Sequence, residues 1–408
     1  MNFNKLTKAI VLITISSILS GCTLPSFKNI SVDEKKEITI GALLPLTGDR
    51  ASRGQDVKQA LLIAENDINN YLEESQNKRR IKLMIEDTNS DPKTALKKIQ
   101  HLAQWDIKTF IGPHSSQEVK EIKDYAQKKD FLIMAYGSES PELAIENDNI
   151  FRLSPNSINE GKAITALLKQ DDIKVIIPIW RDDAWGRGVL NSTRDEFKEN
   201  GVQMLGGISY PSDTQDFSSA IDFLNQKYSE YKGKKIGILA ISYDEISQII
   251  LEASTHKNLT NVNWYGSSGI AKVEEITKNA KLAEFVIKTN MHCPTFGLDD
   301  YSKPKRAELK QKLQESLGHE ANIYAYTAYD SLWLATLTNL SSTDNKTFIK
   351  TLPQIANNYF GMSGWTKLNE FGDRKHGNYD YWTIIKQDQK YIWNRSSRYI
   401  SNFDNSQK

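Results

Sequence analysis

Six short polar segments, each directly after an apolar run typical of a β-strand, carry groups that can hold a ligand. They contain hydroxyls, free backbone amides and glycines, which bind small polar molecules or anions, often at a helix N-terminus. The segments are residues 45–54, 112–116, 136–143, 181–188, 242–244 and 266–269. In an open α/β sheet, ligands lie beyond the carboxyl ends of the strands. The six segments therefore predict one binding site built from several loops.

Each segment also has a simpler structural explanation. Ser116 could cap the helix that follows it, because serine is a favoured N-cap residue. Gly48 and Gly54 could serve turns, and Trp185 could belong to a hydrophobic core. For any single segment the structural explanation is favoured, but the recurrence of polar residues after six strands favours a site.

Motifs of common enzymes and metal sites are missing from the sequence. The six histidines form no pair with metal-ligand spacing, and His319-Glu320 has no second histidine at the required offset. The stretch 266–269 lacks the spacing of a serine-nucleophile turn, and no glycine-rich loop ends in Lys-Ser or Lys-Thr. We therefore expect no catalytic residue, no metal and no cofactor, although scattered residues could still converge in the fold.

The elements that must position these segments alternate between strand and helix patterns from residue 37 onward. Strands are predicted at 38–46, 81–85, 109–111, 131–135, 174–180, 235–240 and 263–265, and helices at 54–72, 92–102, 188–199 and 245–255. This alternation predicts parallel sheets with helices on both faces, and the number of strands favours two lobes. The runs 379–385 and 391–393 resemble paired strands instead.

Composition excludes some classes of partner. The formal net charge is +1, so the chain has no electrostatic signature of nucleic-acid binding. Of the two cysteines, Cys22 belongs to the N-terminal motif described next, which leaves Cys293 without an intrachain disulfide partner. Cys293 is expected to pack as a small apolar residue.

The N-terminus has the features of an export signal. Lys5 and Lys8 precede the apolar run 9–19, which is too short to span a bilayer well and ends at Leu19-Ser20-Gly21-Cys22. This ending resembles the bacterial lipobox, which implies lipidation of Cys22 and a signal peptide over residues 1–22. An uncleaved anchor helix or an ordinary secreted protein are the alternatives. Residues 23–36 are expected to form a flexible tether, so that the globular part is extracytoplasmic and membrane-anchored.

Ordered motifs along the chain resemble the type I periplasmic substrate-binding proteins, closest to the leucine/isoleucine/valine-binding family of ABC importers. The resemblance covers about residues 38–385 and rests on the shared order of the motifs rather than on any single one. The motifs are Ile40 to Gly48 with Gly54, 87–92, 111–113, 140–143, 183–188, 325–330, Gly364 and 371–373.

The resemblance implies an α/β fold of two doubly wound parallel-sheet lobes joined by three hinge crossovers, often called a Venus flytrap. The crossovers would fall near 151–155, 289–290 and 361–364. The N-terminal lobe would then comprise 37–152 and 289–360, the C-terminal lobe 153–288 and 361–400, and the tail 401–408. A ligand would be held between the lobes of a monomer, and the closed form would dock on an ABC permease in the membrane.

The resemblance also carries over binding positions. The predicted ligand-binding residues are Arg53, Ser115, Ser116, Gly137, Ser138, Glu139, Trp185, Tyr243 and Ser268. Ser116 matches the serine that binds an amino acid's carboxylate, Gly137 matches a backbone contact, and Trp185 stands where the family usually has tyrosine.

Three positions depart from the family pattern. Arg53 stands at a usually aromatic position, Glu139 replaces a threonine that helps to hold the carboxylate, and Ser268 replaces the glutamate that binds the α-ammonium. Tyr243 lies one residue from the expected aromatic. Glu139 beside a ligand carboxylate would be unfavourable without a compensating cation such as Arg53. A cationic or amide-bearing ligand, or an amino acid bound in the inverted orientation, is therefore also compatible with the sequence.

The function expected from the sequence is that of a lipid-anchored solute-binding protein that delivers a small polar ligand, such as an amino acid or amide, to an ABC permease. The alternatives are a ligand sensor of the same fold and a structural lipoprotein that regulates a cell-wall synthase. The structural alternative predicts a cleft filled by the protein's own side chains.

Overall fold

The computed structural model describes residues 36–231, 233–341 and 345–401. The predicted signal with Cys22, the tether up to residue 35 and the tail after Ser401 lie outside the described residues. No helix within the described ranges has the length and apolar character that crossing a membrane requires.

The first lobe is built on a six-stranded sheet in the order β14-β5-β4-β3-β1-β2, whose strands all pair in parallel. Its elements in the first part of the chain are β1 Lys36–Leu44, α1 Ala51–Glu74, β2 Arg79–Asp87, α2 Pro92–Ala103, β3 Thr109–Ile111, α3 Ser116–Lys128, β4 Leu132–Ala135 and β5 Ile150–Pro155. Helix α1 buries Val57, Ala60, Leu61 and Ala64 on one face, as the helical spacing predicts.

The second lobe follows β5 and has a parallel sheet in the order β10-β9-β6-β7, with β8 also paired to β6. Its elements are α4 Ser157–Gln170, β6 Val175–Arg181, α5 Ala184–Glu199, β7 Gln203–Met204, β8 Ile208–Tyr210, α6 Ser218–Glu230, β9 Ile236–Ile241, α7 Ile246–Ala253, β10 Asn263–Gly266, α8 Glu274–Lys278, α9 Ala280–Lys288 and β11 Cys293–Gly297. Strand β9 is buried along its whole length, because helices cover both faces of a parallel sheet.

The last part of the chain contributes to both lobes. Its elements are α10 Lys303–Leu317, α11 Ile323–Ser341, α12 Asn345–Asn357, β12 Phe360–Gly361, β13 Gly364–Trp365, β14 Asp373–Arg374, β15 Asn378–Gln387 and β16 Lys390–Tyr399. Helices α10 to α12 pack on the core of the first lobe. Strands β11, β15 and β16 form a three-stranded antiparallel sheet, which confirms the strand pair predicted near the C-terminus.

The two α/β lobes with parallel sheets confirm the predicted fold class, but two crossovers differ from the predicted positions. The chain crosses between β5 and α4, between β11 and α10, and between β14 and β15. Strand β11 pairs with β15 and its Cys293 is buried in the second core, so the second crossover follows Gly297 rather than Thr289. Strand β14 pairs with β5, so the third crossover follows Arg374 rather than Gly364.

Candidate functional site

A cavity at the junction of the lobes brings most of the predicted binding residues together. It contains about 320 Å³ of atom-free space, part of it open to solvent. Its lining residues are Arg50, Arg53, His114, Ser115, Ser116, Gly137, Glu139, Trp185, Tyr243, Ser268, Gly269 and Tyr324. Eight of the nine predicted residues are in this set, and the ninth, Ser138, lies just behind it with its Oγ 3.1 Å from that of Ser116.

Two serines at the start of α3 have different roles. Ser115, not Ser116, caps the helix, since its Oγ accepts a bond from the Glu118 backbone N–H and donates to Glu118 Oε2 at 2.6 Å. The Ser116 Oγ accepts bonds from the backbone N–H groups of Glu139 and Ser140 at 3.2 and 3.1 Å. With both lone pairs used, the Ser116 hydroxyl ties α3 to the loop after β4, and its proton is left for the Ser138 Oγ atom at 3.1 Å.

Glu139 brings a buried carboxyl group to the cavity wall. Its side chain accepts bonds at Oε1 from the Ser154 hydroxyl at 2.6 Å and the Tyr324 hydroxyl at 3.3 Å. Burial raises the pKa of Glu139 from 4.5 to about 7, against the lowering effect of these hydrogen bonds and of the charges of Arg53 and Arg152. The group therefore changes its charge near neutral pH.

A second buried carboxyl group stands behind Ser268. Glu160, in the first turn of α4, accepts bonds from the Ser268 backbone N–H at 2.6 Å and from its hydroxyl at 3.0 Å. Burial and the nearby charge of Glu139 raise the pKa of Glu160 to about 8. Ser268 stands where the family pattern has a glutamate. Glu160 of α4 therefore brings a carboxyl group to this position from a different element.

Two stacked aromatic rings form the part of the cavity wall that the second lobe contributes. The rings of Trp185 and Tyr243 lie 4.3 Å apart between centroids with an angle of 20° between their planes. Trp185 stands in the first turn of α5, where the Asp183 carboxylate caps the helix by accepting a bond from Gly186 N–H at 2.8 Å. A Cβ at Gly269 would lie 2.6 Å from the Tyr243 ring and 2.9 Å from that of Trp185, so the close stacking requires glycine there.

Three arginines surround the Tyr243 ring. The guanidinium carbons of Arg50, Arg53 and Arg181 lie 5.6, 5.4 and 5.3 Å from its centroid. Arg181 is neutralised by Asp183 at 2.8 Å and Glu245 at 3.2 Å. Arg50 forms an ion pair with Asp49 at 3.2 Å. Arg53, in contrast, has no carboxylate oxygen within 4.0 Å among the described residues.

His114 is a cavity residue that the sequence analysis did not single out, although it lies in one of the six segments. Its ring is buried and packs edge-on against Tyr324, with 4.7 Å between centroids. Burial, followed by the charges of Arg53 and Arg50, holds the pKa of His114 well below 6.5, so the ring is neutral. The Nδ1 atom has no hydrogen-bond partner among the described residues and faces Gly137, where a Cβ would lie 2.2 Å away.

The two lobes touch directly beside the cavity. The Ser140 hydroxyl of the first lobe donates to the Ala184 carbonyl of the second at 3.1 Å, and Arg181 lies 3.9 Å from Asp49. The structure is therefore the closed arrangement of the lobes, and separating them would break these contacts and open the cavity.

A buried ion pair links the cavity loop to the hinge. Arg152 on β5 makes two parallel bonds of 2.5 Å to the Asp373 carboxylate on β14, and its third nitrogen donates to the Ser140 carbonyl at 2.5 Å. Such a two-pronged pair has a fixed geometry. It holds the loop after β4 against the strand that precedes the third crossover.

The chemistry of the site is suited to binding. Within the described ranges, no group of three or more His, Cys, Asp or Glu residues is placed to hold a metal ion. The cavity combines an acidic wall at Glu139, a basic wall at Arg53 and aromatic faces at Trp185 and Tyr243. These groups recognise charge and shape in a small polar molecule.

Comparisons with known proteins agree with this architecture. The chain is 29% identical over 396 residues to an uncharacterised protein, MJ1266, of Methanocaldococcus jannaschii, covering 92% of this chain and 94% of that one. It is 23% identical over 297 residues to Leu/Ile/Val-binding protein homolog 2 of Brucella abortus, covering 72% and 75%. It also matches glutamate receptor 3.7 of Arabidopsis thaliana at 24% identity, but spans 30% of that receptor's length.

Among solved structures, a leucine-binding protein of Thermotoga maritima superposes with a TM-score of 0.71 at 17% identity, over 89% of this chain and 99% of that one. The family model described as "Receptor family ligand binding region" matches residues 56–387. Because that match covers well over half of the sequence, the chain belongs to the family of receptor ligand-binding regions that this model describes. It has the type I periplasmic-binding-protein fold.

Proposed function

We propose that the chain is an extracytoplasmic solute-binding protein that captures a small polar ligand, such as an amino acid or amide, and delivers it to an ABC permease. The observation that carries the proposal is the cavity at the lobe junction, to which Glu139 contributes from one lobe and Trp185 and Ser268 from the other. The similarity to a Leu/Ile/Val-binding protein homologue supports an amino acid or a related solute.

The mechanism follows from the division of the site between the lobes. In the open form each lobe presents half of the binding groups, so the ligand makes its full set of contacts only when the lobes close. The ligand shifts the population towards the closed form by at most its difference in affinity for the two forms. The closed form, with a surface that both lobes share, is then what a permease recognises. The chain would act as a monomer, without catalysis and without nucleic acid.

A lipid on Cys22 would hold the protein at the outer face of the membrane. The support is the sequence pattern from Lys5 to Cys22. Replacing Cys22 by serine should release the protein from the membrane fraction, as measured by fractionation and immunoblotting. If Cys22→Ser protein stays in the membrane fraction, the segment is an uncleaved anchor helix instead. A wild-type protein found free in the medium would indicate an ordinary secreted protein.

The binding function is tested by a thermal-shift screen of the full chain in mild detergent against amino acids, amides, ureas and polyamines. A ligand at 100 times its Kd stabilises the folded state by about 2.7 kcal/mol, which is readily measured as a rise in Tm. No rise with any compound at millimolar concentration would contradict the proposal and favour a structural role. In the closed form the enclosed space beside Glu139 and Arg53 has room for about one water molecule, so the screen, and not the cavity itself, separates solute binding from a structural role.

A ligand sensor is a second candidate, favoured by the receptor family to which the chain belongs. Transport and sensing need the same cleft, so binding does not separate them. The two functions are separated by measuring uptake of the radiolabelled solute in cells that lack the gene. Transport predicts a loss of uptake, whereas sensing predicts normal uptake.

A further inference from the structure

A short segment of the first lobe reaches across the cleft to the second lobe. It comprises residues 49–53, which end the turn after β1 and begin α1, and we call it the latch segment. Its Arg50 and Arg53 place their guanidinium carbons 5.6 and 5.4 Å from the ring centroid of Tyr243 in the second lobe. A cation within about 6 Å of a ring centroid is attracted to the ring. Two cations of one lobe therefore bind one ring of the other.

The acidic residue of the latch segment adds a contact of the opposite sign. The Asp49 carboxylate lies 3.2 Å from Arg50 of its own lobe and 3.9 Å from Arg181 of the second lobe. It stands between a cation of each lobe and offsets their mutual repulsion. Arg53 in turn lies within electrostatic range of the Asp244 carboxylate of the second lobe. The charges of the latch segment are therefore complementary to those that it faces.

The ring that receives the two arginines is fixed in place. Tyr243 stacks on Trp185 with 4.3 Å between the centroids. A Cβ at Gly269 would lie 2.6 Å from the Tyr243 ring, so glycine at that position lets the ring lie where it does. The second lobe thus presents a rigid aromatic surface to the latch segment, and little side-chain freedom is lost when the lobes meet.

The latch contact lies inside the closed cleft. Arg53 and Tyr243 both line the cavity, whose enclosed space has room for about one water molecule. Among the described residues no carboxylate oxygen lies within 4.0 Å of Arg53, so the ring is its short-range partner across the cleft. The attraction between a cation and a ring is stronger where water is excluded. The chain's own side chains therefore fill the space in which the lobes meet.

We infer that the latch segment holds the two lobes closed by itself, without a bound solute. This goes beyond the proposed function, because it assigns closure to Arg50, Arg53 and Tyr243 of the chain. A solute that enters the cleft has to displace Arg53 from the Tyr243 ring. The latch therefore lowers the fraction of molecules that are open to a solute, and the apparent affinity for the solute falls by the same factor.

The test measures the distance between the lobes in the absence of solute. Spin labels are attached at Lys93→Cys in the first lobe and Asp213→Cys in the second, both exposed and both shortly after a strand of their sheet. The full chain carries Cys22→Ser and is kept in mild detergent. It is first dialysed against urea below its unfolding transition, which removes any solute. Electron–electron double resonance then gives the populations of short and long distances.

The wild-type residues at the latch should give mainly the short distance. Arg53→Gln should raise the ratio of open to closed molecules roughly twofold to thirtyfold, as expected for the loss of one cation–ring contact. Tyr243→Leu should raise the ratio further, because both arginines lose the ring. In Tyr243→Leu, adding Arg53→Gln should change the ratio less than twofold, since the partner is already missing.

An exposed arginine provides the matched control. Arg194→Gln removes a guanidinium on the outer part of α5 and should leave the ratio within twofold of the wild type. Circular dichroism checks that each variant is folded. If Tyr243→Leu does not fold, Arg50→Gln combined with Arg53→Gln tests the same contacts, because the two losses should multiply.

Two outcomes would overturn the inference. A long distance as the main population of the solute-free chain would mean that the latch segment does not close the lobes. An equal effect of Arg53→Gln with and without the Tyr243 ring would mean that Arg53 acts through other contacts. Neither outcome touches solute capture, which the thermal-shift screen tests separately, and a screen without a hit would leave the latch standing.

Discussion

Ionisation of Glu139 should make the protein less stable as the pH rises, and replacing this residue by glutamine should remove the effect. Burial raises its pKa from 4.5 to about 7. At 1.36 kcal/mol for each pH unit, that change corresponds to about 3 kcal/mol of free energy of unfolding. The Glu139→Gln side chain has nearly the same shape and does not ionise.

The direction in which stability changes with pH follows from whether the folded or the unfolded state holds the proton of Glu139. Between pH 4.5 and about 7 the folded state keeps a proton that the unfolded state has released, so this contribution to stability is full below pH 4.5 and is lost as the pH rises through 7. Besides burial, the groups that set this pKa are Ser154, Tyr324, Arg53 and Arg152, all of which lower it. The charge of Glu139 in turn raises the pKa of Glu160. Between pH 5 and 8.5, the wild type should therefore lose about 2.5 kcal/mol relative to Glu139→Gln.

The assay is urea unfolding of the ligand-free full chain, followed by circular dichroism at pH 5 and pH 8.5. Groups that do not interact with Glu139 contribute equally to both proteins, so only the difference between the proteins is interpreted. Glu160 adds to that difference in the same direction, because the charge of Glu139 raises its pKa in the wild type alone. Glu142→Gln should stay within about 0.5 kcal/mol of the wild type at both pH values, because its carboxylate is exposed. A difference between wild type and Glu139→Gln that is the same at both pH values would refute this account of the buried carboxyl group.

Three further substitutions test other parts of the site. Trp185→Ala should weaken binding of the stabilising solute at least tenfold in calorimetry while the circular dichroism spectrum is unchanged; unaltered affinity would remove Trp185 from the site. Gly137→Ala should lower the free energy of unfolding by roughly 1–3 kcal/mol, because the new Cβ would lie 2.2 Å from His114 Nδ1, and an unchanged Tm would contradict this packing. Asp373→Asn should cost about 3–5 kcal/mol in urea unfolding, because it leaves Arg152 buried without its charge partner; a loss below about 1 kcal/mol would argue against the pair.

Periodicity predicted the local elements well, because both helices and strands of this fold bury a regular face. The buried face of α1 has the predicted residues, and β3 has the predicted bounds, Thr109–Ile111. The assignment of strands to lobes was less accurate. Strands β11 and β14 are only five and two residues long, and their sheet is decided by pairing with β15 and β5, which no local pattern encodes.

The residues that line the cavity were predictable where they lie in a loop after a strand, as Glu139 after β4 and Tyr243 after β9 do. Glu160 and Tyr324 were missed because they stand in the first turns of helices. A signal for Glu160 was present, since it shares a helix face with Ala163, Ile164 and Leu167, all of them buried. An acid on an apolar helix face predicts a buried carboxyl group, although its partner Ser268 is 108 residues away in the sequence.

The burial of Cys293 makes the protein suitable for site-specific labelling. The chain has two cysteines, and once Cys22 is acylated or replaced by serine, Cys293 provides the remaining thiol. That thiol is fully buried and burial raises its pKa, so maleimide dyes should leave it unmodified. A cysteine introduced at the exposed position Asp244, next to the cavity residue Tyr243, would carry the dye alone. Its fluorescence would then report the approach of the lobes, which turns the protein into an optical sensor for its own solute.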